Sequence, residues 1–484
     1  MISNRKRLGQ YFTPDEVASS LVRWVVRRKT DRILDPSCGD GQFLKHHRHS
    51  VGVEICAEAA SEARKQAPSA LVHGGEFFRW ASATSERFDG IAGNPPFIRF
   101  QSFKGEVRAE ALAAASVMGA NFSALTSSWA PFVLVAAGLL KFGGRMAFVV
   151  PAEIGHANYA RELIPALCGR FREVRVIACR EKLFPALSED CWLLWCDGYG
   201  SRCGEVGMSI LDRFMPSMEV PAPNRGISLS EWNAMGGRLR PFLLTVEERE
   251  IYRDLKNRPT VRAFGDLANA SIGYVSGAND FFHLRPSQAN SFRIPDRWLR
   301  VAVRKASQLP GGPVKRSDVE RWLTNDDPVL LLDLNGIDRL PAEIRRYLDT
   351  EEGEKARATY KCRNRKPWYA VPDVKVPTAF MTVMNGRRPS LIFNEADCVC
   401  TNSLHAVTLR SGVSAPVLRS GWESALAELG TEIEGHPLGG GMLKLEPREA
   451  QKIPIPTGPI SLTSAEHSAL LQATQTMRTW RHYG

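Results

Sequence analysis

Three short segments carry residue types whose spacing could do chemistry. Asp35-Pro-Ser-Cys-Gly-Asp-Gly41 follows a short β-rich run, Glu54 closes the next one, and Gly93-Asn-Pro-Pro-Phe97 follows a third. Gly39 and Gly41 let the backbone turn tightly and approach a ligand with no Cβ in the way. Glu54, at the end of the second strand, is spaced to receive two ribose hydroxyls. On these two features alone, a plain strand-to-helix turn beside a surface Glu stays open. Pro95 and Pro96 remove backbone donors and stiffen the third loop, which holds the Asn94 side-chain oxygen and the Pro95 carbonyl as fixed acceptors. Two acceptors converging on one point suit an amino group that must give up planarity to become a nucleophile. Phe97 then offers an aromatic face to a flat base. The competing reading is an ordinary proline-rich turn.

The elements that must hold these loops follow from periodicity. Glu16 to Arg27 places Val17, Leu21, Val22, Trp24, Val25 and Val26 on a broad apolar face, which predicts a helix. Thr13 is its expected capping hydroxyl and Pro14 its first position. Short strands are expected at 32–35, 50–54 and 88–92, and a short helix at 42–47. A buried helix at 129–140, stopped by Gly143-Gly144, leads into a buried strand at 145–150. Strands separated by helices predict a parallel sheet covered on both faces, an α/β, doubly wound, Rossmann-like domain over 1–240. Residues 215–223 hold three prolines and little periodicity, as a linker would. Beyond 240 the chain is richer in Arg, Pro and isolated strand-like runs such as 379–383 and 390–393. This predicts a second, mixed α+β domain over 241–484. No repeat of solenoid period and no low-complexity tract is visible.

Composition sets the partners. With 484 residues, 44% hydrophobic and 24% charged, the chain is ordinary for a two-domain globular protein. Lys and Arg number 63 against 52 Asp and Glu, a net charge of +11, which suits a polyanion; a generally basic soluble protein is the plainer alternative. The ten cysteines include no Cys-x-x-Cys pair. Neither Cys191, Cys196 and Cys203 nor Cys398 and Cys400 has zinc spacing, so no metal is expected, and reduced core thiols fit a cytoplasmic protein. The apolar run at 129–140 is too short for a membrane span. The basic N-terminus has no apolar stretch behind it, so neither signal peptide nor membrane partner is expected. Lys355 to Pro367 carries Lys355, Arg357, Lys361, Arg363, Arg365 and Lys366 with only neutral residues between, and Trp368 and Tyr369 follow. Cations beside aromatics suit phosphate contact with stacking or wedging; a solvated basic face is the alternative. Arg297 to Arg316 adds six cations and no carboxylate. One or both stretches are expected to line a DNA cleft between the domains.

Together, Asp35-Pro-x-Cys-Gly-x-Gly41, Glu54 and Asn94-Pro-Pro-Phe97 resemble the S-adenosylmethionine-dependent DNA methyltransferases that act on the exocyclic amine of adenine. Gln10-Tyr-Phe-Thr-Pro14 resembles the segment that covers the methionine part of their cofactor. Its place before the glycine loop, with a recognition region at the C-terminus, is that of the gamma class, the TaqI-like enzymes. The resemblance implies S-adenosylmethionine held by Tyr11, Thr13, Asp35, Pro36, Cys38, Gly39, Gly41, Glu54 and Ile55. Gly75-Glu76-Phe77 is similar to the segment that holds the cofactor's adenine, with Glu76 where Asp is more usual. Lys182-Leu-Phe-Pro185 is similar to the segment whose aromatic faces the flipped base. The implied catalytic set is therefore Asn94, Pro95, Pro96, Phe97 and Phe184; Phe97 stands where Tyr is frequent.

Ile272 to Phe282, the run from Arg365-Lys-Pro-Trp-Tyr369 to Thr401-Asn-Ser-Leu-His405, and Gly439 to Pro447 resemble the recognition domain of TaqI-like and related restriction-modification enzymes. The implied activity is site-specific methylation of N6 of a flipped adenine in double-stranded DNA, for host protection in restriction-modification or phage defence. Lys361, Arg363, Arg365, Lys366 and Trp368 would contact that DNA. A monomer is expected, with any restriction endonuclease or defence-system partner on a separate chain. The cofactor segment begins near residue 9, which leaves no room for an N-terminal nuclease, and Pro372-Asp-Val-Lys375 is only a fragment of a nuclease pattern. The alternatives are an rRNA or protein-glutamine methyltransferase, or a non-catalytic DNA-binding module on the same fold.

Overall fold

Runs of apolar residues bounded by glycine and charged turns build the first sheet. The computed structural model describes residues 13–185, 187, 189–337 and 339–483. Tyr11 lies outside the described residues. The chain divides into two compact units, 1–243 and 244–484. In the first, helix α1 (Asp15–Val25) leads into β1 (Ile33–Asp35), β2 (Ser50–Glu54), α2 (Ala57–Gln66), β3 (Leu71–Gly74), α3 (Phe77–Ala83) and β4 (Phe88–Gly93). Then follow α4 (Gly105–Val117), α5 (Trp129–Ala137), β5 (Leu140–Pro151), α6 (Ala160–Cys168), β6 (Phe171–Cys179), β7 (Cys191–Tyr199), β8 (Glu205–Leu211) and β9 (Arg225–Ser228). The nine strands form one sheet in the order β3-β2-β1-β4-β5-β7-β6-β8-β9. Residues 215–223 run between β8 and β9 without helix or strand.

Strands β1 to β5 are parallel, with Ile33 opposite both Ser50 on β2 and Gly90 on β4. The chain leaves β1 toward β2 and β3, then returns to its other side as β4. The carboxyl ends of β1 and β4 therefore flank the point where strand order reverses, the place where doubly wound sheets bind ligands. The sheet is not parallel throughout. β7 inserts antiparallel between β5 and β6, because the short connection at 180–190 returns the chain directly without a crossover helix.

Other departures are local. Residues 42–47 make only one 3₁₀ turn, Leu44–His46, since the stretch from 36 to 49 must hold both the glycine loop and the return to β2. Helix α5 stops at Ala137 and β5 starts at Leu140. The Gly143-Gly144 pair instead forms an irregularity in the β4–β5 register, with Gly143 at φ +75°. The Thr13 hydroxyl does not cap α1, whose N-cap residue is Pro14 with no side-chain cap. That hydroxyl is committed elsewhere, as described below.

A core of α1 residues (Val17, Leu21, Val22, Trp24), β-strand residues (Ile33, Ala147, Val149, Leu193, Trp195) and Phe184 fills one side of the sheet. At its rim, Asp197 on β7 pairs with Arg27, Arg145 (2.8 Å) and Arg172 while its own side chain is 3% exposed. The ten cysteines are free, Cys56 and Cys203 half-buried and the others buried. No helix among the described residues is long and apolar enough to cross a membrane.

The second unit holds several small sheets, as a mixed α+β arrangement. Ala268–Ile272, Leu404–Leu409, Ala379–Thr382 and Leu391–Phe393 lie side by side in that order, all antiparallel. A second four-stranded sheet orders His283–Leu284, Leu330–Leu332, Leu299–Val303 and Val399–Cys400. Helices Ala425–Glu434 and Ser464–Thr479 are tied by a fully buried pair, Arg481 Nη2 to Glu432 Oε1 at 2.8 Å, which Arg478 joins.

Burial opposes ionisation of Asp197, but Arg145, with Arg172 and Arg27, outweighs it and holds the carboxyl below its ordinary value. Stability from this group is thus present above the usual carboxylate range and is lost as pH falls through the lowered value. Asp197→Ala should cost about 2 kcal/mol near neutrality. In denaturant titrations its deficit against wild type should shrink below about pH 4.

Candidate active site

The site is built where β1, β2 and β4 end. After β1, the chain turns through Gly39 at φ +54° and Gly41 at φ +95°. A Cβ at Gly41 would stand 3.0 Å from the Ala63 backbone, so α2 packs against bare glycine. A Cβ at Gly39 would meet nothing within 4 Å, so that peptide edge is open to a ligand. Gly39 N donates to Glu54 Oε2 at 2.9 Å, and Cys56 N donates to Oε1 at 2.8 Å. Glu54 is 6% exposed. Each carboxylate oxygen keeps a lone pair for an incoming hydroxyl, since ionised carboxylates accept about four hydrogen bonds. The next residue, Ile55, is 63% exposed, an apolar face left open at the end of β2.

Asp35 lies beneath this loop, 1% exposed. Its Oδ1 accepts from Ser37 N at 3.1 Å, while its Oδ2 is buried with no partner. Burial pushes its pKa up to about 8, against the Ser37 hydrogen bond and with repulsion from Glu54 and Asp40. Pro36 and the buried Cys38 complete the wall; Gly52 sits under Cys38, where any Cβ would lie 2.6 Å from Sγ. Glu76 caps α3, Oε2 accepting from Arg79 N at 3.0 Å, and so offers one oxygen fewer to a ligand. Phe77 is 4% exposed and packs on Phe132 with ring centroids 4.3 Å apart. Its ring serves the core.

The loop after β4 touches the first one. A Cβ at Gly93 would lie 2.7 Å from Asp35 Oδ1, so only glycine lets the two strand ends approach this closely. Ser37 Oγ donates to the Asn94 carbonyl at 3.0 Å. The Asn94 amide donates through Nδ2 to Thr13 Oγ1 at 3.2 Å, and its Oδ1 is buried with no partner. Ser128, just before α5, grips the loop from behind: Ile98 N donates to Ser128 Oγ at 3.0 Å, and that hydroxyl donates to the Pro96 carbonyl. Phe97 is half-buried against the apolar cluster that contains Phe184. Phe184 itself is 6% exposed, so in the free protein only Phe97 presents a ring face.

Asn94, Pro95, Phe97, Asp35, Gly39, Glu54 and Thr13 are thus brought to one end of the sheet. Ser37 and Ser128 were not legible as functional, because a serine that pins a carbonyl across the fold leaves no spacing signal.

In the second unit, the segments that resemble a recognition domain are stitched to one another. Tyr274 N donates to the Cys400 carbonyl and Asn402 N to the Tyr274 carbonyl, both at 3.0 Å. His405 Nε2 meets the Leu445 carbonyl at 2.8 Å. Arg365 donates to the carbonyls of Ser276, Val275 and Ala370. Its guanidinium holds the 272–276 loop, and the side chain is half-buried. Trp368 is half-buried, packed on Phe281 with centroids 6.0 Å apart, and serves the core more than a duplex. Lys361, Arg363 and Lys366 remain exposed. Arg363, Lys366 and Arg357 edge an open cavity of about 740 Å³ that Trp368 floors. Tyr360, which the sequence did not single out, is 68% exposed with the Arg363 guanidinium 5.6 Å from its ring centre.

Comparison with known proteins gives this geometry its chemistry. Residues 237–482 match the family described as Type II methyltransferase M.Eco57I, C-terminal domain. Residues 44–171 match Eco57I restriction-modification methylase, and 2–76 match N-6 DNA Methylase. The chain belongs to the Eco57I family of Type II methyltransferases. It is an adenine-specific DNA methyltransferase of restriction-modification type, and base flipping follows from the family. The methyltransferase is 21% identical over 471 residues to Type II methyltransferase M.AccI of Acinetobacter calcoaceticus, covering 93% of this chain and 86% of that one. It is 23% identical to M.XamI of Xanthomonas campestris pv. amaranthicola, covering 93% and 85%. Among solved structures it shares its fold with the Type IIL restriction-modification enzyme MmeI, solved in complex with DNA (TM-score 0.54, 13% identity, 93% of this chain and 70% of that one).

Two measurements probe the geometry. With its pKa raised in the fold, Asp35 favours folding below the unfolded carboxylate range and loses that contribution as pH rises toward about 8. Apoprotein denaturant titrations should therefore show Asp35→Asn gaining on wild type between about pH 4 and pH 8. Arg365→Ala should lower stability by about 1–3 kcal/mol, leaving three carbonyls without their donor. Arg363→Ala should leave stability within about 0.5 kcal/mol.

Proposed function

We propose that this methyltransferase is a gamma-class, site-specific enzyme that transfers a methyl group from S-adenosylmethionine to N6 of an adenine extruded from duplex DNA. The observation that carries the reading is the orphaned Asn94 Oδ1, buried at the strand-order reversal just ahead of two prolines and a half-buried aromatic. A buried acceptor without a partner costs about 1–3 kcal/mol, and an amine donor arriving there removes the penalty.

The residues present fit the cofactor. Glu54 offers its remaining lone pairs to the ribose hydroxyls, Ile55 its exposed face to the adenine, and Gly39 its bare peptide edge. The unpartnered Asp35 Oδ2 suits the cationic methionine end. Tyr11, Pro36, Cys38, Gly41 and Glu76 complete the proposed cradle, with Phe77 backing it from the core and the Thr13 side chain turned to Asn94. When bound, the cofactor supplies an electrophilic methyl group on a sulfonium. The chain's own part is positioning and electrostatics. Asn94 Oδ1 and the Pro95 carbonyl accept from the target amine and raise electron density on its nitrogen, while Pro96 stiffens the loop. Phe97 stacks on the base, and Phe184, buried in the apolar cluster that Phe97 packs against, takes the opposing face once the base enters.

Duplex phosphates are met by Lys361, Arg363 and Lys366, with Arg365 and Trp368 supporting that face from below. The extrusion cost of a few kcal/mol is offset by stacking and hydrogen bonds in the pocket. We place the enzyme in the cytoplasm, as a monomer, without a resident metal. A separately encoded endonuclease or defence system would cut the unmodified site.

Asn94→Ala should keep S-adenosylmethionine affinity nearly unchanged in calorimetry while methyl transfer to DNA falls about 10²–10³-fold. A purified variant with near-normal turnover rejects the assignment. Replacing Lys361, Arg363 and Lys366 together should weaken DNA binding and flatten its salt dependence by a slope of about 2–3. An unchanged slope moves the DNA face elsewhere.

A further inference from the structure

We infer that Thr13 is a positioning residue for the methyl transfer: its hydroxyl holds the Asn94 amide by Nδ2, in the orientation that turns Oδ1 toward the target amine. The inference rests on the reading of Asn94 given above. It assigns Thr13 a role distinct from holding the cofactor.

An asparagine amide has two ends of nearly equal size and opposite hydrogen-bonding sense. Turned one way at the 94 loop, it offers an acceptor to an NH2 group. Turned the other way, it sets donor against donor, and the extruded base would be repelled. Backbone restraints alone do not decide between the two. Ser37 Oγ pins the Asn94 carbonyl, Pro95 and Pro96 fix the chain that follows, and Gly93 fixes its approach to Asp35. None of these touches the end of the side chain. Thr13 does, accepting from Nδ2 at 3.2 Å.

Two further observations point the same way. Thr13 is 5% exposed, and its hydroxyl, the natural cap for α1, does not cap that helix. Asn94 Oδ1, at the opposite end of the amide, is buried and has no partner in the free protein. One end of the amide is tied and the other is presented, which is the polarity the reaction needs. Thr13 also stands one residue before Pro14, in the stretch that resembles the segment over the cofactor's methionine.

The test compares Thr13→Val, Thr13→Ser, Asn94→Ala and the Thr13→Val/Asn94→Ala double variant in the full chain. S-adenosylmethionine affinity is read by calorimetry. Initial rates are read as transfer of tritiated methyl from saturating S-adenosylmethionine to unmethylated bacterial genomic DNA. Thr13→Val, isosteric but unable to hydrogen-bond the amide, should lose about tenfold or more in rate while cofactor Kd stays within about twofold. The retained cofactor binding also reports that the variant is folded. Thr13→Ser should recover the rate to within about threefold of wild type, and Thr13→Val should add nothing to Asn94→Ala. Full activity in Thr13→Val overturns the inference, as does a slow Thr13→Ser. A cofactor Kd that rises by the factor lost in rate also overturns it, since Thr13 would then act on the cofactor alone. Asn94→Ala distinguishes the two levels: if it is inactive while Thr13→Val is normal, only the Thr13 inference fails. If Asn94→Ala is active, the reading of Asn94 fails as well.

Discussion

The site depends on one close approach, the backbone of Gly93 against the Asp35 carboxyl. No side chain fits between them. Because β1 lies between β2 and β4 in the sheet, the three strand ends emerge side by side, and the loops they release are forced into contact. The glycine loop after β1 and the Asn-Pro-Pro-Phe loop after β4 are therefore one structure. Ser37, inside the first loop, holds the backbone of the second. A cofactor placed on the β1–β2 side and a base placed on the β4 side meet where the two loops touch. The topology, more than any single residue, brings donor and acceptor within reach of one another.

Buried carboxyls are handled in opposite ways at this end of the sheet, where burial keeps Asp35 protonated, and at its rim. Asp197 is surrounded by three arginines and stays ionised below its ordinary range. Asp35, equally buried, has no cation, and one of its oxygens has no partner at all. A lone carboxyl kept at such cost is an expected sign of a functional site. The second unit repeats the contrast with cations. Arg365, Arg478 and Arg481 are consumed by carbonyls and carboxylates of the scaffold, while Lys361, Arg363 and Lys366 face solvent. Net charge alone does not distinguish a cation that holds a loop from one that waits for a phosphate.

That distinction also marks how far the sequence could be read. Asp35, Gly39, Glu54 and Asn94 were legible because strand ends, glycines and prolines impose their conformations locally, within a few residues. Strands β1, β2, β4 and β5 were legible for the same reason, whereas β3 at Leu71–Gly74 was not. The antiparallel insertion of β7 was not, since nothing in Cys191–Tyr199 says which neighbours it will take. The scaffold bonds of Arg365 and the exposure of Tyr360 were not legible because both are set by contacts distant in the chain: the carbonyls that Arg365 holds belong to residues 275, 276 and 370. Thr13 was read as a helix cap on sound local grounds, and its hydroxyl is taken by a residue eighty positions away. Local chemistry proposes partners for a hydroxyl; only the fold decides which one it keeps.

Two of the unsatisfied groups, side by side at the strand ends, argue for a site prepared before substrate arrives. In a folded protein, buried polar atoms without partners are few and each calls for an explanation. Here Asp35 Oδ2 and Asn94 Oδ1 both lie at the same strand ends; Asn94 Oδ1 is an acceptor, and Asp35, held protonated by burial below about pH 8, becomes one when an arriving cation ionises it. A cationic methionine end and an exocyclic amine are both donors. Each orphan therefore matches the polarity of the group proposed for its side of the junction, and each stays fixed because its other atoms are already bonded: Oδ1 of Asp35 to Ser37, Nδ2 of Asn94 to Thr13. Binding at such a site exchanges an existing penalty for a hydrogen bond and reorganises little. That is the condition under which electrostatic stabilisation acts on the reacting nitrogen without being spent on reorienting the enzyme.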